Sequence, residues 1–206
     1  MVDNYKEILY DNARMETEWL ILRKAAKADA PDILEYAGDE ETVKYLDWAG
    51  VKTLDEALQG IINYHWSNPG IWVIELKENH KCIGAIDIRV EPDHNKAGFG
   101  YVLNRHYWNK GYMTEALSSA FKLCFDKLDL NRVEAFHYAG NEGSGKVMQK
   151  CGMKYEGVSE QALKIKGVFR DVVRYGLIKE HWRAINGIVG NEFHTETQRL
   201  KEEAQK

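Results

Sequence analysis

Between residues 112 and 128 apolar side chains recur at every third or fourth position: Met113, Ala116, Leu117, Ala120, Phe121, Cys124, Phe125 and Leu128. That spacing predicts one amphipathic helix with a single buried face. Just upstream, Gly98 to Leu103 reads as a strand, and the turn Asn109-Lys110-Gly111 joins the two. A strand, a glycine turn and a helix start gather free backbone N–H groups at one point. Such a point binds an anion, typically a phosphate. The competing reading is an ordinary strand–helix junction with no ligand.

The same patterning organises the rest of the chain. Trp19 to Arg23 predicts a first strand. A helix follows with Asp29 as its cap and Pro31 in its first turn, and a second short helix covers about Glu40 to Leu46. Thr53 and Glu56 have capping-box spacing ahead of a third helix ending near Trp66. Ile71–Leu76 and Cys82–Val90 flank a polar turn at 78–81 and predict a β-hairpin. Arg132–Tyr138 predicts another strand, and Ser144–Cys151 a short helix stopped by Gly152. Strands near Lys154–Val158 and Val172–Ile178 complete the pattern. The expected organisation is a polar leader over 1–17, one domain over 18–182 and a polar, helix-prone tail over 183–206.

Composition narrows the function classes. The 206 residues carry a net charge of −4, which gives no overall basic field for nucleic acid. No apolar run approaches the ~18 residues of a membrane span, and the N-terminus has no signal-peptide core. Cys82, Cys124 and Cys151 have no close pairing and read as reduced thiols, so a cytoplasmic location is expected. Neither Cys-x-x-Cys nor His-Glu-x-x-His occurs, and no metal site is expected.

In their order, these elements and several short motifs resemble the GNAT superfamily of N-acetyltransferases. The resemblance is to the branch that contains ribosomal-protein N-terminal alanine acetyltransferases. It is carried by Trp19–Arg23 with Asp29, Glu41–Trp48, Ile83-Gly84, Gly100-Tyr101 and the turn Trp108–Ala116. Asn141–Ser144 and Lys150–Gly157 add to it, and it spans about residues 18–182. It implies an α+β fold with a mixed, mostly antiparallel sheet splayed between two strands and helices on both faces. It also implies acetyl-CoA as cosubstrate. Asn109, Lys110, Gly111, Tyr112, Met113 and Thr114 would cradle the pyrophosphate. Tyr101, Val102 and Leu103 would line the gap beside the Arg132–Tyr138 strand, with Asn141 and Ser144 near the pantetheine and its sulfur. The chain departs from the pattern at Met113, where a small residue is usual, and at Gly98, where a glutamate often stands.

Acetyl transfer needs a neutral amine, a polarised thioester carbonyl and a proton for the thiolate. A peptide α-amine has a pKa near ~8 and a lysine amine near ~10.4, so the α-amine is the easier acceptor for a chain with no obvious strong base. A backbone N–H near Val102 or Leu103 is the candidate oxyanion donor. Ser144 is the candidate acid and, alternatively, a helix cap. Asp87 is the candidate base and, alternatively, a solvent-facing strand residue. His137 is a further candidate base or a packed histidine, and Leu163 stands where the branch can carry a carboxylate. Glu115 reads as structural. Tyr45, Trp48, Tyr64, Trp66 and Trp72 are core or acceptor-pocket residues. The expected acceptor is a protein N-terminus, such as that of a ribosomal protein. The alternatives are a small amine (polyamine, amino acid or aminoglycoside), with Asp39, Glu40, Glu41 and Asp47 as candidate acids, or a non-catalytic CoA-binding module. Monomer and homodimer both remain open.

Overall fold

The computed structural model of the chain describes residues 4–187. The elements run α1 (Asn4–Asp11), β1 (Arg14–Glu16), β2 (Leu20–Arg23), α2 (Ala30–Ala37), α3 (Glu40–Val43) and α4 (Leu54–Gly60). They continue with β3 (Ile71–Leu76), β4 (Cys82–Glu91), β5 (Lys96–Leu103), α5 (Tyr112–Lys122), β6 (Arg132–Tyr138) and α6 (Glu142–Lys150). β7 (Lys154–Ile165), β8 (Val168–Ile178) and α7 (Lys179–Ile185) finish the chain. Both α4 and α5 widen into a π-turn at their C-terminal ends, over Ile61–His65 and Leu123–Lys127.

All eight strands form one sheet in the order β1-β2-β3-β4-β5-β6-β8-β7. Every pairing is antiparallel except β5 with β6. Apolar side chains occupy both faces. One face packs Phe99, Met113, Leu117, Phe121 and Phe125 against Ile86 and Ile88 under α5. The other packs Ile33, Tyr36, Ala57 and Ile61 against Val73 and Cys82 under α2 and α4. The sheet therefore carries helices on both sides, as the α+β expectation requires. All three cysteines are free, with Cys82 and Cys124 buried. Among the described residues no helix is long and apolar enough to cross a membrane.

Several local expectations change. The segment read as a leader contributes to the fold. Leu9 of α1 is buried in the core, the Asn12 carbonyl accepts the Trp72 indole N–H at 3.0 Å, and β1 pairs with β2. Asp29 does not cap α2. Its carboxylate turns back to the Ala26 N–H at 2.7 Å and to the Arg23 guanidinium at 2.7 Å, because Arg23 is held in a half-buried setting that demands a counter-charge. At α4 the Thr53 hydroxyl accepts the Glu56 N–H as expected, while the Glu56 carboxylate reaches the Lys52 N–H. The hairpin β7–β8 is longer than expected. It turns at Lys166 and Gly167, both with positive φ, the conformation a two-residue hairpin turn uses. The tip reaches α3, where Lys166 Nζ donates to the Val43 carbonyl at 2.8 Å. Of the expected tail, 188–206 lies outside the described residues.

Candidate active site

The turn between β5 and α5 is fixed before any ligand is considered. The buried Asn104 side chain accepts the His106 N–H at 3.0 Å and donates to Glu35 at 2.8 Å, and the Trp108 indole donates to the Leu103 carbonyl at 2.7 Å. Asn109 and Gly111 then adopt left-handed φ values of 60° and 91°. The first N–H of α5 to find a helical acceptor is that of Glu115, bonded to the Gly111 carbonyl at 3.0 Å. Among the described residues, the N–H groups of Asn109 through Thr114 have no protein acceptor. Left-handed residues that alternate with an ordinary one bend neighbouring amides toward one concavity, an anion-binding arrangement at the positive end of a helix. A Cβ at Gly111 would meet only Trp19 Cζ3 at 3.8 Å, so backbone conformation rather than crowding calls for glycine there. Met113 turns its side chain into the core and leaves the turn open. Glu115 accepts the Trp19 N–H at 2.8 Å and so ties β2 to α5.

The gap beside this turn follows from strand register. β5 and β6 pair only over Lys96↔Arg132, Ala97↔Val133 and Gly98↔Glu134. Beyond Gly98, β5 continues on β4 as far as Leu103, and β6 continues on β8 as far as Tyr138. The two strands diverge and leave backbone groups unpaired between them. Asn104 donates to the Ile83 carbonyl at 2.8 Å, and antiparallel alternation back from that bond turns the Val102 N–H toward β4. The N–H groups of Tyr101 and Leu103 face the gap. Of the two expected oxyanion donors, only Leu103 is therefore oriented for the role.

Across the gap stands α6. Its cap is Asn141, whose Oδ1 accepts the Ser144 N–H at 3.4 Å, so Ser144 is the third helical residue and not the cap. The Ser144 Oγ lies 2.7 Å from the Tyr101 hydroxyl. Close approach of α6 to β6 requires Gly145, where a Cβ would fall 2.7 Å from His137 Nε2. His137 is buried, with Nδ1 3.0 Å from the Tyr138 carbonyl, the setting of the packed alternative.

A cavity of about 430 Å³ unites the turn, the gap and α6. Its walls include Tyr101, Val102, Leu103, Asn109, Gly111, Tyr112, Met113, Thr114, Asn141 and Ser144. Lys110 is not part of the wall, and its Nζ lies 5.2 Å from the Tyr107 ring centroid. Lys146 and Lys150, one turn apart on α6, add positive charge that sequence reasoning missed. Their i, i+4 spacing beside the Asn141–Ser144 motif was the available signal.

A second cavity of about 600 Å³ opens on the α2–α4 face. It meets the first at Leu46, Tyr101 and Val102. Asp87 lies in its wall. The expectation of a solvent-facing side chain fails, since that side chain is 13% exposed. Tyr64 donates to Oδ2 at 3.2 Å and Arg89 lies 3.6 Å away, while Oδ1 is buried with no partner among the described residues. Burial raises the carboxyl pKa above its ordinary value, against the opposing pull of Arg89. The missing side chain at Gly100 leaves room beside the carboxylate, since a Cβ there would sit 3.8 Å from Oδ2.

The aromatic set divides. Trp48 and Tyr64 line the second cavity and Tyr45 the first. Trp72 is core, and the Trp66 indole is committed to the Ala25 carbonyl at 2.8 Å. Of the expected acids, Asp47 alone lines the second cavity. Asp39 caps α3 and pairs with Arg105, and Glu41 pairs with Lys44. Leu163 lies in β7 at a register shift, half-exposed.

A family model described as an acetyltransferase (GNAT) domain matches residues 20–154. The uncharacterised N-acetyltransferase YoaA of Bacillus subtilis (strain 168) is 28% identical over 170 residues, covering 80% of this chain and 96% of that protein. The ribosomal protein uS5-alanine N-acetyltransferase of Escherichia coli (strain K12) is 30% identical over 83 residues, 40% of this chain and 43% of that protein. A crystal structure of a GNAT-family acetyltransferase from Bacillus anthracis superposes with a TM-score of 0.74 at 26% identity, covering 81% of this chain and 99% of that one. With an amide-lined turn, a splayed pair of parallel strands and a family match over most of its length, the chain belongs to the GNAT family and is an acyl-CoA-dependent N-acetyltransferase.

Proposed function

We propose that the chain transfers the acetyl group of acetyl-CoA to the N-terminal α-amine of a protein, with a ribosomal protein as the first candidate. One observation carries the reading: the two cavities meet at Leu46, Tyr101 and Val102. A thioester lying along β5 would there meet an amine entering from the α2–α4 face. The amides of Asn109–Thr114 would hold the diphosphate, and Lys146 and Lys150 would add charge beside it. The Leu103 N–H would polarise the thioester carbonyl. Ser144 would give the departing thiolate its proton, and Asp87 would take one from the amine, directly or through water.

The acceptor class rests on proton chemistry. Deprotonating a lysine amine costs roughly 3 kcal/mol more than an α-amine, at ~1.4 kcal/mol per pKa unit. One half-paired carboxylate suits the less demanding amine. The relative named for acetylating an alanine of a ribosomal protein supports the same choice. A second reading, a small cationic amine, is favoured by Asp47, Asp87, Trp48 and Tyr64 lining the same cavity.

Thiol release from acetyl-CoA, measured with peptides beginning in alanine or serine beside a polyamine, an amino acid and an aminoglycoside, tests the reading. Turnover on the peptides, reduced on the order of 100-fold in Ser144→Ala, is expected. Turnover on the small amines with none on any peptide would overturn the protein acceptor.

A further inference from the structure

Tyr101 is one of the three residues that line both cavities, and its hydroxyl is turned toward α6. It lies 2.7 Å from Ser144 Oγ and 3.0 Å from the Ser144 carbonyl oxygen. The Ser144 N–H is bonded to the Asn141 carbonyl at 3.1 Å, so the serine backbone is fixed from one side and the Tyr101 hydroxyl touches it from the other. The ring is partly buried and, like Leu103 and Val147, packs against the core that lies under α5. An aromatic residue there would fill the space with or without a hydroxyl. Among the described residues, the hydroxyl itself hydrogen-bonds only to Ser144.

Taking Ser144 as the group that protonates the leaving sulfur, as in the functional proposal, we infer that Tyr101 is its positioning residue. Its O–H turns from the Ser144 carbonyl to Oγ as the serine proton turns to the sulfur. The step balances. The C–S bond of the tetrahedral intermediate breaks and its electron pair goes to sulfur. The Ser144 proton passes to the thiolate, and the Tyr101 O–H stabilises the charge developing on Oγ. The proton lost by the amine goes to Asp87, directly or through water, and Ser144 regains one from water. Tyr101 is a lasting donor because burial raises its hydroxyl pKa above the ordinary phenol value.

The test does not depend on knowing the acceptor. The probe is CoA itself, whose thiol ionisation in the complex is followed by the ultraviolet absorbance of the thiolate. Wild type, Tyr101→Phe, Ser144→Ala and the double variant are compared, with the CoA dissociation constant and thermal unfolding measured for each. A donor to the thiolate lowers its pKa from a free value near ~8.5. Ser144→Ala should raise the bound-thiol pKa by about one unit. Tyr101→Phe should raise it by about half a unit, with CoA affinity held within about threefold. In the Ser144→Ala background, Tyr101→Phe should add nothing, because the path from tyrosine to sulfur is already cut. If the Tyr101→Phe shift persists undiminished in that background, or is absent while the Ser144→Ala shift is present, the positioning role is wrong and the acid assignment survives. If Ser144→Ala leaves the thiol unshifted, or CoA does not bind, the assignment of Ser144 falls and the role of Tyr101 falls with it.

Discussion

At Asp87 a buried carboxylate carries one unpartnered oxygen and a raised pKa. A raised native pKa means the ionised form opposes folding, and the contribution worsens as pH rises through the unfolded and then the folded value. Asp87→Asn should therefore leave the melting temperature at pH 7 unchanged or raised by a few degrees, while turnover falls on the order of 100-fold. A lowered melting point with intact turnover would make the residue structural. His65 works in the opposite direction. Burial lowers its pKa to about 4, so between there and ~6.5 the unfolded chain binds a proton the native one refuses. Its share of stability is complete above pH 6.5 and is lost toward pH 4, on the order of 2–3 kcal/mol. Denaturant titrations at pH 7.5 and pH 4.5 should show that loss, and His65→Gln should shrink it; an unchanged difference would mean that other groups carry it. Neither property was legible in the sequence. Alternation along β4 placed Asp87 on a face but did not say that α4 and Tyr64 would cover that face. His65 lay in a stretch read only as helix.

At the scale of elements, the turn into α5 was legible because its pattern is local. Eight apolar positions and one glycine suffice to predict an amphipathic helix entered through a positive-φ residue. Gly111→Val should cost about 1–2 kcal/mol through its left-handed φ and weaken CoA binding at least tenfold by re-aiming the amides. Calorimetry with CoA checks it, and unchanged affinity would put the phosphates elsewhere. Glu115→Ala should loosen the tie to Trp19 and cost about 1 kcal/mol with a smaller effect on CoA affinity, by the same pair of measurements. What was not legible depended on partners far along the chain. Ser144 looked like a cap because serine caps helices, but the helix begins two residues earlier and the Asn141 side chain accepts the Ser144 N–H in its place. The length of β7 and β8 was hidden because their outer halves are largely exposed on both faces and mix apolar residues such as Leu163, Val168 and Phe169 with polar and charged ones, without the alternation of a half-buried strand.

At the scale of the whole molecule, one sheet joins two chemistries. β5 and β6 separate after three paired positions, and each then leans on a different neighbour. That divergence makes the slot, α5 supplies the amides at one end and α6 supplies Ser144 at the other. The order of elements made this fold readable from the sequence. The meeting of two cavities at Tyr101 was not, because Leu46 and Tyr101 are brought together only by packing α3 and its following turn over the end of β5. The most direct test is an amide-resolved NMR titration with CoA. Large shifts should gather at residues 109–114, at Tyr101 and Leu103 and at Asn141–Ser144. They should be much reduced at 109–114 when pantetheine, which lacks the diphosphate, replaces CoA. Shifts confined to other surfaces, or identical shifts at 109–114 with and without the diphosphate, would contradict the account.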